Sequence, residues 1–429
     1  MNLQKSIDLI LTPLPNFHQL ALLIARRADT YLVGGWIRDH LQGIASRDLD
    51  LVSANAQELA MELRAIWSFS LVLLDETHQI YRLVSKKHDI TVDIAQMAGG
   101  CLAEDLGRRD FTINAIAVDW QHPDQLIDPY NGWDDLQNRS LRVVSPHSIE
   151  NDPLRALRAF RFAAIYNLVI SPETLDQINR QYKRLQQPAG ERMNNELHKM
   201  VLAPDWHSIW PAMREMNLFP ALIGKPPISV DNSLFIDICL NLADRMKEEP
   251  LTTEINRTLP LIGDKYSLWQ WLRLYTIIFQ TYRVFQRELL HRFCFTTKIQ
   301  QGLKLTHRLV TRYQNETRST IVDAILDDIA CYGIMPIIAI CYLYGTQSPS
   351  AAEGKQFEYI LQQWLHQWRK NYCQSPLITG IDLIKNFKMA PGPLFKEVLH
   401  VLRKAQIAGT IGTTNEALKY LRHHPTFSN

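Results

Sequence analysis

The stretch YLVGGWIRDHLQGIASRDLDLV, residues 31–52, contains two adjacent glycines and, a short helix later, two aspartates one residue apart. Its apolar segments predict a strand over 30–35, a short helix that stops at Gly43, and a second strand over 47–53. Side chains at positions i and i+2 of a strand point to the same face, so Asp48 and Asp50 are expected side by side. Two carboxylates placed in this way repel each other, and a hard divalent cation such as Mg²⁺ relieves the repulsion.

The glycine pair suits an anion-binding turn. Because glycine has no Cβ atom, Gly34 and Gly35 let backbone N–H groups approach a phosphate at the start of the following helix. Arg38, one turn into that helix, could reach the same phosphate. A generic strand–helix turn and a solvated pair of aspartates explain each motif separately. Their combination favours a site that places anion donors beside a metal-binding pair of carboxylates.

Composition sets few further limits on function. The chain has 429 residues, 46% of them hydrophobic, and a net charge of +2, which neither requires nor excludes a nucleic-acid partner. Six cysteines without a CxxC pair argue against a disulfide framework or a zinc ribbon and suit a reducing cytosol, so a cytoplasmic protein is expected. The longest apolar run, residues 334–345, is too short for a membrane span and predicts a buried helix.

The predicted secondary structure changes near residue 150. Five more apolar segments before this point predict strands, at 69–74, 79–84, 90–95, 111–119 and 140–145. The last of them is expected to close the sheet. After residue 150 helical periodicity dominates. The sequence therefore predicts an α+β fold in which a mixed sheet with helices is followed by an all-helical region.

A third charged patch is EDLGRRDFTINAIAVD, residues 104–119. Arg108 and Arg109 precede the predicted strand. Asp110 is expected to orient an arginine or to cap the turn rather than to act chemically. Asn114 lies within an apolar segment, and we expect it to make a structural hydrogen bond, because a buried amide needs partners.

A fourth patch is ENDPLRALRAFRFAA, residues 150–164. Asp152 is a natural N-cap for a helix that begins there. Arg155, Arg158 and Arg161 follow at intervals of three, which places them along one edge of the helix. They form either a solvated face or a surface that binds a polyanion and reads the edge of a base.

In this order, the patches resemble the bacterial tRNA nucleotidyltransferase and poly(A) polymerase family, class II, which has a polymerase-β-like fold. The matching segments are VGGWIRDHLQG, RDLDLV, RRDFTINAIAVD, IDPYNGWDDLQNRSLRVVS, ENDPLRALRAFRFAA and, less closely, GERMNNELHKMVL. They span residues 30–205, about half of the chain, and their number and spacing argue against a chance match. The resemblance implies template-independent addition of nucleotides from CTP and ATP to the 3′ end of tRNA, with release of pyrophosphate.

The resemblance also implies which residues act. Asp48 and Asp50 match the catalytic pair that binds Mg²⁺, and the role of Asp93 as a third carboxylate at the metal is left open. The residues that match the nucleotide contacts of the family are Gly35, Arg38, Arg109, Asp152, Arg155, Arg158 and Arg161. In the family, the Asp and Arg of the fourth patch read the incoming base by hydrogen bonds. These are Asp152 and Arg155 here, although Asn151 stands where the family pattern has glutamate.

The architecture of the family implies four parts. They are a nucleotidyltransferase head over 1–145, a helical neck for base recognition over 146–205, a helical body over 206–310 and a helical, tRNA-binding tail over 311–429. The implied partners are CTP, ATP, and the 3′ end and acceptor arm of tRNA.

The connection between the strand of Asp93 and the arginine patch is short. It reads AQMAGGCLAEDLG, residues 95–107, whereas full CCA-adding members of the family have a longer, charged and flexible loop there. Members without this loop tend to stop after two cytidines, because the loop helps to switch the pocket from C to A. We therefore expect a CC-adding enzyme that works in sequence with a separate A-adding enzyme. Addition of the full CCA is the alternative.

Three further interpretations explain parts of the sequence. A poly(A) polymerase shares every motif of the head, but the C-terminal YLRHHPTFSN lacks the basic tail usual for that enzyme. A glycosyltransferase explains the two aspartates as a site for a metal and a nucleotide-sugar, but not the glycine pair or the arginine helix. An RNA-binding protein with an inactive polymerase fold explains the architecture, but not the intact pair of aspartates.

Overall fold

A computed structural model describes residues 24–424, apart from residues 25, 28, 45, 47, 68, 86–89, 123–124, 204–207, 226–249, 282–285, 317–319 and 347–351. The chain divides into two compact units, Met1–Pro227 and Ile228–Asn429. The division into head, neck, body and tail stays a prediction, and its boundary between residues 205 and 206 lies outside the described residues.

The first unit is built around a seven-stranded mixed sheet. Its strands are β1 (Thr30–Val33), β2 (Asp48–Ser53), β3 (Ser70–Asp75), β4 (Ile80–Ser85), β5 (Ile90–Gln96), β6 (Ala117–Asp119) and β7 (Leu126–Ile127). The order across the sheet is β3-β4-β5-β2-β1-β6-β7. The neighbours β2 and β5 run parallel, and the other five neighbouring pairs run antiparallel.

Ten helices in the described part of the first unit accompany the sheet. They are α1 (Gly35–Leu41), α2 (Ala56–Trp67), α3 (Leu102–Gly107), α4 (Gly132–Gln137), α5 (Ser148–Asn151), α6 (Arg155–Tyr166), α7 (Pro172–Arg180), α8 (Gly190–Leu202), α9 (Trp210–Glu215) and α10 (Leu218–Leu222). Helix α6 packs against α8. Three short 3₁₀ turns lie at Ala98–Gly100, Thr112–Asn114 and Tyr182–Arg184.

The alternation of side chains along β2 and β5 separates the core from the polar face of the sheet. Leu49 and Leu51 of β2 are buried, as are Ile90, Val92 and Ile94 of β5. Because successive side chains of a strand point to opposite faces, the aspartates between these apolar residues are directed away from this core. The same pattern that holds the sheet in register therefore presents its carboxylates together.

The second unit is helical in its described residues. Its helices are α11 (Pro250–Thr258), α12 (Leu268–Tyr275), α13 (Gln286–Arg292), α14 (Thr297–Gln314), α15 (Ile321–Tyr332), α16 (Met335–Thr346), α17 (Ala352–Gln363), α18 (Arg369–Cys373), α19 (Gly380–Phe387), α20 (Pro393–Ala408) and α21 (Thr414–His423). Helix α16 confirms the predicted buried helix, since residues 336–345 are all buried. Among the described helices, none has the length and apolar character that a membrane span requires. The predicted α+β architecture is confirmed.

Two of the predicted strands are wrong in part. Over 111–119, only Ala117–Asp119 forms a strand, and Thr112–Asn114 forms a 3₁₀ turn. Polar groups cause this break, because the amide of Asn114 and the carboxylate of Asp110 bond to each other at 2.8 Å.

The segment 140–145 does not close the sheet. Ser140–Leu141 (β8) pairs in parallel with Val169–Ile170 (β9) in a separate two-stranded sheet. The chain beyond β8 crosses the 3₁₀ turn instead, where the N–H of Thr112 donates to the carbonyl of Arg142 at 2.9 Å.

Helix α6 begins at Arg155, later than its predicted N-cap at Asp152. Asp152 does accept a hydrogen bond from the N–H of Leu154, at 3.1 Å, so it caps the turn that leads into the helix. The short helix α5, which ends at Asn151, precedes this turn.

Substitution of Gly132 tests how tightly α4 packs against the 3₁₀ turn at Thr112–Asn114. A Cβ atom at Gly132 would lie 2.1 Å from the carbonyl oxygen of Thr112. Because backbone atoms cannot yield as a flexible side chain can, Gly132→Ala is expected to lower the free energy of unfolding by about 2 kcal/mol or more. Urea unfolding followed by circular dichroism measures this change. Gly392→Ala, where nothing lies within 4 Å of the added atom, is the control and should be close to neutral. Equal stability of the two variants would contradict the packing described here.

Candidate active site

A cavity of about 660 Å³ in the first unit gathers the side chains that the sequence singled out. All nine predicted site residues line it: Gly35, Arg38, Asp48, Asp50, Arg109, Asp152, Arg155, Arg158 and Arg161. They come from the start and middle of α1, from β2, from the loop after α3 and from the entry and edge of α6. Residues more than 100 positions apart in the chain therefore share one polar cavity.

Two carboxylates of this cavity have no ion-pair partner among the residues that the structure describes. Asp50 lies opposite Asp93 in the parallel register of β2 and β5. Arg82 of β4 binds Asp93 through two hydrogen bonds of 2.7 and 2.6 Å, which offset its charge. Neither Asp48 nor Asp50 forms an ion pair with another described residue. Within the described residues, no group of three or more His, Cys, Asp or Glu side chains is arranged to hold a metal ion.

The electrostatic setting of Asp50 favours a bound cation. Burial and the negative charge of Asp93 raise the pKa of Asp50 to about 6, against the opposing effects of Arg109 and the N–H of Gly35. A positive charge beside the carboxylate reverses this effect, because it favours the ionised form. Two hard carboxylate ligands, with room in the cavity for water and phosphate oxygens, fit the preferences of Mg²⁺. The donor set of Asp48 and Asp50 therefore fits a divalent cation.

The glycine turn makes the predicted close approach, but to a protein carboxylate. The N–H of Gly35 donates to Oδ2 of Asp50 at 3.1 Å. Gly34 has a φ of +70°, and a Cβ atom there would lie 2.9 Å from Nη1 of Arg109. Since a side chain would displace Arg109, the glycines keep both Asp50 and Arg109 close to the turn.

A buried polar network joins the sheet to α6. Asp110, only 6% exposed, accepts hydrogen bonds from the N–H of Phe111 and the amide of Asn114, both at 2.8 Å. Its other oxygen accepts from Nε of Arg158 at 2.8 Å. Burial by itself would raise the pKa of Asp110, but the charge of Arg158 and these hydrogen bonds hold that pKa well below its usual range. The predicted structural roles of Asp110 and Asn114 are thus confirmed.

Arg38 extends this network to α1. Its Nη1 donates to Oδ1 of Asn114 at 2.5 Å, and its Nε and Nη2 donate to Asp39. The guanidinium also stacks 4.5 Å from the ring centre of Tyr166 and 5.0 Å from that of Phe162. Contacts on its edge and on its face hold Arg38 in one orientation.

The three arginines of α6 do not form a solvated face. Arg161 is only 8% exposed, and its Nε lies 2.5 Å from the Glu196 carboxylate on α8. Arg158 is paired with Asp110. Arg155 donates to the carbonyl oxygens of residues 108 and 109, at 2.6 and 3.1 Å, and its Nε has no partner among the described residues. The solvated alternative is therefore wrong for this edge.

Asp152 lies on the same wall of the cavity, half-buried. One of its oxygens accepts from Leu154 and the other from Arg192 at 2.8 Å. The carboxylate of Asp152 and the guanidinium of Arg155 together offer an acceptor and a donor for the edge of a base.

The connection over residues 95–107 is a folded element. After the 3₁₀ turn, α3 carries the buried Asp105, which pairs with Arg108 at 3.0 Å and with Arg109 at 2.9 Å. The helix thereby holds Arg109, one of the cavity arginines, in place.

Some residues of the cavity were not anticipated. Ser46, Arg82 and Lys199 line it as well. The contact between Arg82 and Asp93 depends on the register of β4 and β5, which a single sequence does not reveal. Lys199 lies in the segment GERMNNELHKMVL, three positions after Glu196. Residues three apart on a helix lie on the same face, and this spacing was the signal in the sequence.

Three domain families match different parts of the chain. "Poly A polymerase head domain" matches residues 30–142. "Probable RNA and SrmB- binding site of polymerase A" matches residues 167–228. The family of tRNA nucleotidyltransferase domain 2 matches residues 340–421, a region in which the sequence motifs showed only helical character.

Full-length relatives carry related activities. A CC-adding tRNA nucleotidyltransferase of Synechocystis sp. is 29% identical, over 91% of this chain and 92% of the relative. An A-adding tRNA nucleotidyltransferase of Deinococcus radiodurans is 28% identical, over 91% and 94%. The Thermotoga maritima CCA-adding enzyme, solved in complex with tRNA, has a similar fold, with a TM-score of 0.67 and 21% identity over 98% of this chain and 97% of that chain.

Asp50→Asn tests the electrostatic cost of the paired carboxylates. The ordinary pKa of an aspartate is 3.8, so near pH 5 folded Asp50 holds a proton that the unfolded chain has lost. Ionised Asp50 therefore destabilises the metal-free fold above about pH 6. In EDTA at pH 7.5, Asp50→Asn should raise the free energy of unfolding by about 1–3 kcal/mol, and the gain should shrink towards pH 4. Urea unfolding at both pH values measures it, and a less stable variant at pH 7.5 would refute the assignment.

Proposed function

Because this chain belongs to the tRNA nucleotidyltransferase and poly(A) polymerase family, we propose that it adds two CMP residues from CTP to the 3′ end of tRNA. The observation that carries this proposal is the single cavity that collects the paired carboxylates, the glycine turn and the arginines of α6. A glycosyltransferase or an inactive RNA-binding protein has no need of this combination.

Asp48 and Asp50 hold Mg²⁺ in this proposal. When bound, the ion supplies positive charge for the triphosphate and for the attacking hydroxyl of the tRNA. The 3′-hydroxyl of tRNA loses its proton to solvent, its oxygen forms a bond to the α-phosphorus of CTP, the bond from that phosphorus to the bridging oxygen breaks, and pyrophosphate leaves. Arg38 and Arg109, held rigidly beside the glycine turn, stabilise the negative charge on the phosphates. Most of the catalysis is then positioning and electrostatics.

Asp152 and Arg155 read the base. A carboxylate accepts a hydrogen bond from the amino group of cytosine, and a guanidinium donates to its ring acceptors. The Nε–H of Arg155 is available to donate to the base, because both terminal nitrogens of the guanidinium already donate to backbone carbonyls. Arg158 and Arg161 support this wall through their pairs with Asp110 and Glu196.

The folded connection at 95–107 supports CC addition over addition of the full CCA. Its helix α3 is tied to Arg108 and Arg109 through Asp105. A segment of this length, anchored to the cavity arginines, leaves no long loop to reshape the pocket for ATP. Terminal A addition then requires a separate A-adding enzyme acting after this one.

The helical second unit is proposed to hold tRNA. Residues 340–421, which match tRNA nucleotidyltransferase domain 2, lie within the tail at 311–429. We assign base recognition to the neck at 146–205 and contacts with the acceptor arm to the body and tail. Recognition of tRNA by its backbone and shape suits a site that reads no template. A cytoplasmic location is part of the same proposal.

Extension of trimmed tRNA tests the nucleotide specificity. With tRNA that lacks CCA and with CTP and ATP together, the product should end in CC, and ATP alone should give no extension. Sequencing of the product 3′ ends measures this. Efficient incorporation of the final A by the pure protein would show the full CCA activity, and long A tracts would show a poly(A) polymerase.

Asp48→Asn tests the metal site. Loss of one of two ligands should lower CMP incorporation on the order of 10³-fold, because the stabilisation of charge is lost with the cation. Mn²⁺ binding, followed by electron paramagnetic resonance, should weaken in parallel. Asp176→Asn is a matched control, because Asp176 lies outside the cavity and pairs with Arg180 on exposed α7. Normal activity of Asp48→Asn would remove the proposed catalytic role.

A further inference from the structure

The positive charges of the cavity are almost all matched by the protein itself. Each of five cavity arginines has a carboxylate partner within 4 Å: Arg38 with Asp39, Arg82 with Asp93, Arg109 with Asp105, Arg158 with Asp110, and Arg161 with Glu196. A sixth, Arg155, is satisfied by backbone carbonyl oxygens. All six guanidinium groups are fixed before any ligand arrives, and the five with carboxylate partners are largely neutralised.

Lys199 is the exception. It lines the same cavity from α8, and it makes no hydrogen bond or ion pair with any described residue. The charges that act on its ammonium are those of Arg161, Glu196, Arg158 and Asp48: the two arginines disfavour a further cation, and the two carboxylates favour it. Partial burial and the charge of Arg161 lower the pKa of the Lys199 ammonium. A lysine on a fully solvated helix face does not carry this cost.

Under the proposed function, an ammonium without an ion-pair partner among the described residues is suited to bind the phosphates of a substrate. The nucleoside triphosphate and the RNA strand both bring phosphate oxygens, and a lysine ammonium binds phosphate as a compact point charge. We propose that Lys199 is a phosphate-binding residue of this cavity and supplies the cation that the protein leaves free for a substrate. The assignment rests on the proposed function for the identity of the two substrates.

The test is equilibrium binding to the full-length protein. Lys199→Met removes the ammonium and keeps most of the length of the side chain. The matched control is Lys183→Met, a lysine of the same unit that is exposed, as Lys199 is, but does not line the cavity. For each protein, dissociation constants are measured for CTP, for cytidine without phosphate, and for tRNA that lacks CCA.

We expect Lys199→Met to lose affinity only for ligands that carry phosphate. Lys199→Met should weaken CTP binding about ten- to a hundredfold, with cytidine changed less than about threefold, since a charge-assisted hydrogen bond is lost only with the phosphates. A loss confined to tRNA would also support the proposal and would identify the RNA strand as the source of the phosphate. Equal losses for CTP and cytidine, or no loss for either CTP or tRNA relative to Lys183→Met, would overturn it.

The same measurements separate this inference from the proposed function. If the wild-type protein binds CTP but adds no CMP to trimmed tRNA, the proposed function fails while the dependence on Lys199 is still decided by binding. If the wild-type protein adds CMP and Lys199→Met binds CTP and tRNA normally, only the inference about Lys199 fails.

Discussion

Asp110 is the carboxylate on which the rest of the site depends. It is buried, and its charge is stabilised by Arg158 and by hydrogen bonds from Asn114 and the N–H of Phe111. Through Asn114 it also reaches Arg38 beside the glycine turn. Removal of one partner from such a buried network leaves an uncompensated charge or donor, which is costly. The sheet that carries the paired aspartates and the helix that carries Arg155 and Arg158 are therefore held together by one small set of polar contacts.

The sequence was sufficient where the signal is local. The alternation of β2 predicted Asp48 and Asp50 on one face, and the glycine pair predicted a turn with close approach. The sequence-based prediction failed where polar side chains made other contacts. The apolar pattern of 111–119 predicts a strand, but Asp110 and Asn114 form a hydrogen bond and the chain turns into a 3₁₀ helix there. The pair between Arg82 and Asp93 depends on strand register, which arises only when the sheet assembles.

The connection at 95–107 links the fold to the proposed nucleotide specificity. A long loop at this position could adopt different conformations for different bases, whereas α3 is fixed by the ion pairs of Asp105 with Arg108 and Arg109. Any movement of α3 would therefore move a cavity arginine with it. A pocket of this kind suits one base better than two, which agrees with its proposed preference for cytosine.

The charges that line the cavity explain why a nucleotide would bind there together with a cation. Most arginines are paired with carboxylates, so they fix shape and orientation more than they add net positive charge. Among the described residues that line the cavity, Asp48, Asp50, Arg155 and Lys199 form no ion pair. Two anions and two cations cannot by themselves neutralise a triphosphate, but a divalent ion held by the aspartates would change the balance. Nucleotide and cation are then expected to bind together, because each lowers the electrostatic cost of the other.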